Sequence, residues 1–169
     1  WGLGGVVFVG GLPKVFFKSP ITGHDERRFK FAVGDSAGQQ TCEGLSVLVA
    51  LRVWREVWVI SHTALMLQGD NVAALTMACR MKAKAGPMKA IAREIALGFS
   101  HTTIMPHLAQ HIAGLSNVLA DHLSRVFEPG KENVPLPAAL ADALEVKIPL
   151  RTSKYYRVPV ARVTRRRGK

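Results

Sequence analysis

The chain has 169 residues, 48% of them hydrophobic and 21% charged, the balance of one globular domain with a core and a tail. Its net charge of +11 is uneven, since residues 147–169 hold nine of the 23 basic residues and no acid, leaving the first 146 at +2. Cys42 and Cys79 fall in predicted helices without metal-ligand spacing, which argues for reduced thiols and against a disulfide framework, and the most apolar window, residues 57–67, is shorter than the ~20 residues that span a bilayer.

Residues 3–9 are apolar and Gly-rich, and Gly10-Gly11-Leu12-Pro13 separates them from the apolar run Val15-Phe16-Phe17. This pattern predicts a β-hairpin. Residues 20–28 are polar and read as a loop. Residues 29–33 alternate well enough for a third strand before Gly34-Asp35-Ser36. Three antiparallel strands opening a domain fit many α+β folds.

Leu45, Leu48, Val49, Arg52 and Val53 recur at helical spacing within residues 39–56, with Glu43 in the first turn or two. Residues 64–67 form a fully apolar run that suits a buried strand, and it ends at Gly69-Asp70. Asp70 is thereby expected at the carboxyl end of a strand, where open sheets place ligands. Two helices come next, over residues 71–84, with Val72, Leu75 and Cys79 inward, and over residues 87–99, with Met88, Ile91, Ile95 and Phe99 inward. Arg80, Lys82, Lys84, Lys89 and Arg93 gather where the two meet, either as a surface that tracks phosphates or as a solvated helix face.

A strand near residues 104–112 precedes Ala113-Gly114, and a helix begins at Asn117. Leu119, Leu123 and Val126 form its buried stripe, whereas Asn117, Asp121 and Arg125 recur every four residues on another face. Asp121 therefore points away from the core. Residues 128–137 are a Pro-rich linker, residues 138–144 suit a short helix, and the basic remainder lacks a periodic apolar face, so little packing is expected of it.

The run His111-Ile-Ala-Gly-Leu-Ser-Asn-Val-Leu-Ala-Asp-His-Leu-Ser-Arg125 resembles the H-x-x-G-x-x-N-x-x-A-D-x-L-S-R signature that closes the ribonuclease H domain of retrotransposon polyproteins. Gly69-Asp70-Asn71-Val-Ala-Ala resembles the family's D-N-x-A junction, and Glu43 to Trp54 its E-x-x-A-x-x-x-A-x-x-x-W helix. Trp1-Gly-Leu-Gly-Gly resembles the W-G-x-G-G portion of the family's D-A-S-x-W-G-x-G-G motif, just downstream of the first catalytic acid. The four motifs stand in family order.

The resemblance implies an α/β, ribonuclease H-like domain over residues 1–127, with a five-stranded mixed sheet flanked by helices, and a linker and basic tail over residues 128–169. It implies hydrolysis of the RNA strand of RNA–DNA hybrids with two Mg²⁺ or Mn²⁺ ions, beside an upstream reverse transcriptase domain. Hydrolysing a phosphodiester needs an activated water and neutralised phosphorus oxygens, which two dications roughly 4 Å apart supply. Such ions take carboxylate oxygens, and Glu43, Asp70 and Asp121 are the matching acids on three different elements. Each also has a structural alternative: Glu43 as a helix-dipole partner, Asp70 as an N-cap, Asp121 as a surface acid. His111 is a weaker proton-transfer candidate, and Asn71 with the five basic residues a weaker nucleic-acid surface. The family's first Asp, which bridges both ions, is expected upstream of Trp1, so that the chain is read as a fragment holding three of four ligands. Asp25, Glu26 and Asp35 are expected in loops and take no role. The competing reading is a catalytically degenerate domain of the same kind that braces a polymerase or binds nucleic acid. No signal peptide or membrane segment is expected, and the isolated domain is expected to be a monomer.

Overall fold

The computed structural model describes residues 1–55, 65–84, 86–100, 106–131 and 133–157. Among these, the protein is a mixed α/β fold with five α-helices, a three-stranded mixed sheet and a separate pair of parallel strands. No helix among the described residues is long and apolar enough to cross a membrane.

The hairpin forms as the sequence predicts, from β1 (Gly2–Val9) and β2 (Leu12–Pro20), antiparallel. Gly10 and Gly11 take φ of 60° and 80°, the left-handed pair that a tight hairpin turn needs and that glycine adopts without a Cβ clash. Val7 faces Val15 while Phe8 faces Pro13, which leaves Lys14 as the extra residue of a bulge. Pro13, with no N–H to give, is tolerated at that irregularity.

Both faces of this hairpin are covered. Phe17 and Leu3 point into the main core, which includes Phe29, Leu45, Leu48, Val49, Trp54, Ile91 and Ile95. Phe16 points the other way, into a second cluster with Leu123 and Leu140. Gly2 and Gly4 lie on that second face. A Cβ added at Gly4 would come within 2.5 Å of the Ala120 carbonyl oxygen and 2.7 Å of the Leu123 Cβ. Glycine in this strand thus seats the last helix directly against the backbone.

The expected third strand at residues 29–33 is absent. Phe29 instead ends α1 (Gly23–Phe29), and Lys30 closes it in the left-handed region at φ 54°. Thr22 and Asp25 make a capping box: the Asp25 N–H donates to Thr22 Oγ1 and the Thr22 N–H donates to Asp25 Oδ2. This local start signal outweighs the short alternation after it. The sheet takes its third strand from β5 (Leu144–Glu145), which runs parallel to β2 beside Val15 and Phe16. The expected single five-stranded sheet is therefore not formed among the described residues.

α2 (Ser36–Val53) buries Leu45, Leu48 and Val49 as their spacing predicts. β3 (Leu65–Gly69) and β4 (Pro106–His111) pair in parallel, with Gly69 opposite His111. Residues 64 and 104–105 of the two expected strands lie outside the described residues. β3 is not buried on both faces: Met66 and Gln68 are exposed, and Gln68 Nε2 donates to Gln110 Oε1 across the open face. α3 (Val72–Arg80) is shorter than expected, and its buried stripe is Ala74, Leu75, Met77 and Ala78, with Val72 exposed. α4 (Gly86–Phe99) buries Ile91 and Ile95, with Met88 and Phe99 packed beside them. α5 (Val118–Arg125) buries Leu123.

The expectation of a loosely attached tail fails for residues 147–157. Arg151 and Asp25 are both buried and joined by an ion pair of 2.8 Å, with Arg151 also donating to Ser19 Oγ and the Pro20 carbonyl. The Tyr156 hydroxyl donates to the other Asp25 oxygen. Glu94, buried in α4, takes Arg28 on one oxygen and Arg52 and the Arg157 N–H on the other. Leu140, in a short 3-10 turn (Ala138–Leu140), is wholly buried as well. Asp25 is thus a helix residue with a structural partner rather than a loop acid. Residues 158–169 lie outside the described residues.

Burial opposes ionisation of Asp25, but hydrogen bonds from Arg151 and Tyr156, the Arg151 charge and the Thr22 N–H together hold its pKa below 3.8. A depressed folded pKa contributes stability above the unfolded value that is lost as pH falls through the folded one. Replacing Arg151 with Met leaves a buried carboxylate uncompensated, and a loss of about 3–5 kcal/mol is expected in urea denaturation at pH 7. Combining it with Asp25→Leu is expected to recover most of that loss. An Arg151→Met protein as stable as wild type would show that the latch contributes nothing.

Candidate active site

Two of the three structural alternatives for the acids fall away. Glu43 lies two turns into α2, beyond the first turn in which a helix dipole acts, and that first turn holds no acid. The N-cap of α3 is Asn71, whose Oδ1 accepts from the Ala74 N–H at 2.9 Å, so Asp70 is left free of that task. Asn71 is accordingly occupied on its oxygen by capping. Asp121 does remain a partly exposed acid of α5's first turn.

Strand pairing and helix seating bring these residues together. β3 ends at Gly69, and the Ile112 N–H donates to the Gly69 carbonyl, so Asp70 and His111 leave the strand pair side by side. His111 Nε2 lies 3.2 Å from the Asp70 carbonyl oxygen. Asn117 Nδ2 donates to Asp70 Oδ1 at 3.2 Å, while a Cβ at Gly114 would stand 3.5 Å from Asp70 Oδ2.

Glu43 reports the convergence electrostatically. Burial first, then the charges of Asp70 and Asp121, push its carboxyl up to about 7. Three acids from three elements thus share one field. Burial first, then the Glu43 charge, pushes the neighbouring Cys42 thiol up to about 11. Carboxylate oxygen is the donor type that Mg²⁺ and Mn²⁺ take, and a dication would offset the repulsion that adds to burial in raising Glu43, so the donor chemistry fits such an ion. The groups are not drawn into a closed cage: among the described residues no three His, Cys, Asp or Glu side chains stand close enough to hold a metal. Arg125 Nε instead donates to both oxygens of Asp121, at 2.8 and 2.7 Å.

Asn117, Arg125 and Gly114 carry no role in the sequence reading. The four-residue recurrence of Asn117, Asp121 and Arg125 is the signal that could have found two of them, because it places all three on one helical face. Arg80, Lys82, Lys84, Lys89 and Arg93 are exposed around the junction of α3 and α4, and among the described residues none of the five forms an ion pair. They contrast with Arg28 and Arg52, partly buried against Glu94, and with Arg151, buried against Asp25.

A carboxylate whose folded pKa is raised contributes stability below its unfolded pKa that is lost as pH rises through the folded one. For Glu43 this window runs from 4.5 to about 7. Glu43→Gln is therefore expected to raise the denaturation midpoint at pH 8 and to leave it unchanged at pH 4. Carbon-13 NMR of the Glu43 carboxyl should give a midpoint near 7 that falls in Asp70→Asn and falls again when Mg²⁺ is added. A midpoint that ignores both changes would separate Glu43 from the other two acids.

No protein-family model matches this chain, and no curated protein or solved structure matches it either.

Proposed function

We propose that the chain is a ribonuclease H-type domain of a retroelement reverse transcriptase polyprotein, hydrolysing the RNA strand of an RNA–DNA hybrid beside an upstream polymerase domain. The observation that carries this reading is the convergence of Glu43, Asp70 and Asp121, three acids from separate elements: burial first, and then the charges of the two aspartates, raise Glu43 to about 7. They occupy the positions where the motifs resemble the family's acids. The element order of hairpin, two helices, strand, two helices, strand and helix is compatible with a ribonuclease H-like fold, with the sheet divided in two.

Two Mg²⁺ or Mn²⁺ ions, when bound, would supply an activated water near neutral pH and neutralise charge on the phosphorus oxygens. Asp70, steadied by Asn117, and Asp121 would hold them, and Glu43 would lose its proton as the field turned positive. Asp121 must first give up Arg125, an exposed ion pair of the kind worth at most about 1 kcal/mol. His111 sits at the rim, where its imidazole can move a proton to or from the leaving oxygen. The unpaired basic residues at the junction of α3 and α4 would track phosphates, and 2′-hydroxyls in the shallow minor groove would mark the RNA strand.

The grip of Arg125 on Asp121, with no ready metal cluster among the described residues, favours a second reading: a degenerate domain that binds nucleic acid or braces a polymerase without cutting. Cleavage separates the two. A chain extended upstream of Trp1 over the acid that the resemblance implies should cut the RNA of a labelled hybrid with Mg²⁺. Asp70→Asn in that protein should lose about a thousandfold or more, roughly 4 kcal/mol of transition-state stabilisation. An extended protein that folds and binds the hybrid but leaves it intact would favour the degenerate brace.

A further inference from the structure

A cleft of about 370 Å³ opens on the outer side of α5, within the size range of small-molecule sites. Val118, Asp121 and Arg125 line it from one helical face, at intervals of three and four residues. Val126, Lys131 and Val134 close it from the segment after α5, which folds back through Gly130 at φ 81°, a conformation suited to glycine. Gly114 and His122 complete the lining, and Gly114 is also the residue beside Asp70 Oδ2. The cleft and the carboxylate site are therefore continuous, with Asp121 common to both.

Besides Asp121 and His122, the lining offers cations and an apolar wall. Arg125 and Lys131 supply cations whose side chains are 52% and 41% exposed. Their present partners, Asp121 and Glu128, hold them only by surface ion pairs, which cost little to rearrange. Arg125 brings a planar fork that matches phosphate, and Lys131 a flexible point charge. The three valines offer an apolar wall, and Val118 is 61% exposed with no side chain of the described residues covering it enough to bury it. One anionic group bound beside an apolar, planar body is the chemistry of a nucleotide.

We infer that this cleft binds a single nucleotide of the nucleic acid, next to the phosphodiester held at Glu43, Asp70 and Asp121, with Arg125 and Lys131 on its phosphate and the valines against its sugar and base. The inference rests on the nucleic-acid reading of the carboxylate site and assigns that site a neighbouring subsite. It also gives Arg125 somewhere to go when it leaves Asp121, so that occupying the cleft frees a carboxylate.

Lys131→Glu and Val134→Trp test it without touching the proposed metal ligands. Removing one phosphate contact should weaken hybrid binding by about tenfold at low salt and reduce the slope of log affinity against log potassium chloride by about one. Val134→Trp fills the cleft and should weaken binding with little change in that slope. Uridine 5′-monophosphate should shift the methyl resonances of Val118, Val126 and Val134 in the wild-type chain, and those of Val118 and Val126 should stay unmoved in Val134→Trp. Inorganic phosphate producing the same shifts at the same concentration would overturn the assignment of a nucleotide. If both variants bind the hybrid as wild type does while Lys89→Glu weakens it, the cleft lies off the nucleic-acid path and the subsite is wrong, although the carboxylate reading stands. A wild-type chain that binds no hybrid at all overturns both.

Discussion

The buried ion pair between Asp25 and Arg151 ties together parts of the chain 126 residues apart, and it holds the end of β2, the start of α1 and the C-terminal segment to one another. Asp25 caps α1 through Thr22, receives the Arg151 guanidinium, and accepts from Tyr156, so its two oxygens are satisfied without water. Arg151 in turn reaches Ser19 and Pro20 at the end of β2. A buried charge is tolerated only when its partners are this complete. Glu94 repeats the device nearby, collecting Arg28, Arg52 and the Arg157 N–H, and both guanidiniums also lie against the Tyr155 and Tyr156 rings. Arg151 and Tyr156 are consequently part of the domain's interior, although the composition around them is that of a tail.

The carboxylate site depends on a different constraint, the close approach of α5 to β1. Gly2 and Gly4 let that helix lie against the strand, and Leu123 then fills the space against Phe16 and Leu140. The seat fixes Asp121 relative to Glu43 on α2, which packs on the other face of the same strand region through Leu3 and Phe17. β3 and β4 contribute Asp70 and His111 by ending together at Gly69 and His111. Three unlike supports therefore converge on one field, which adds to burial in raising the pKa of Glu43.

Arg125 makes that field adjustable. Its charge neutralises Asp121 locally, yet the pair is half exposed and easily exchanged. The same guanidinium lines the adjoining cleft. A single side chain can thus link what occupies the cleft to whether Asp121 is available, through nothing more than competition between two anions.

Periodicity and turn chemistry are local properties, and the sequence by itself determined what they govern. Gly10-Gly11 dictates the hairpin, the spacing of Leu45, Leu48 and Val49 dictates α2, and Ile91 with Ile95 dictates the inward face of α4. The candidate acids were legible for the same reason, since each lies in a short motif. Residues 29–33 alternate only weakly, and the capping box at Thr22 and Asp25, a pattern also present in the sequence, starts a helix that takes up Phe29. Two outcomes were decided by tertiary structure alone. One is the partner of Arg151: pairing across 126 residues leaves no local pattern, and a lone basic residue in a charged segment reads as solvated until a buried acid is found opposite it. The other is the state of Asp121, which its helical face sets beside Arg125 but which only the seating of α5 on β1 brings within the field of Glu43, because distance between elements is fixed by packing and not by spacing along the chain.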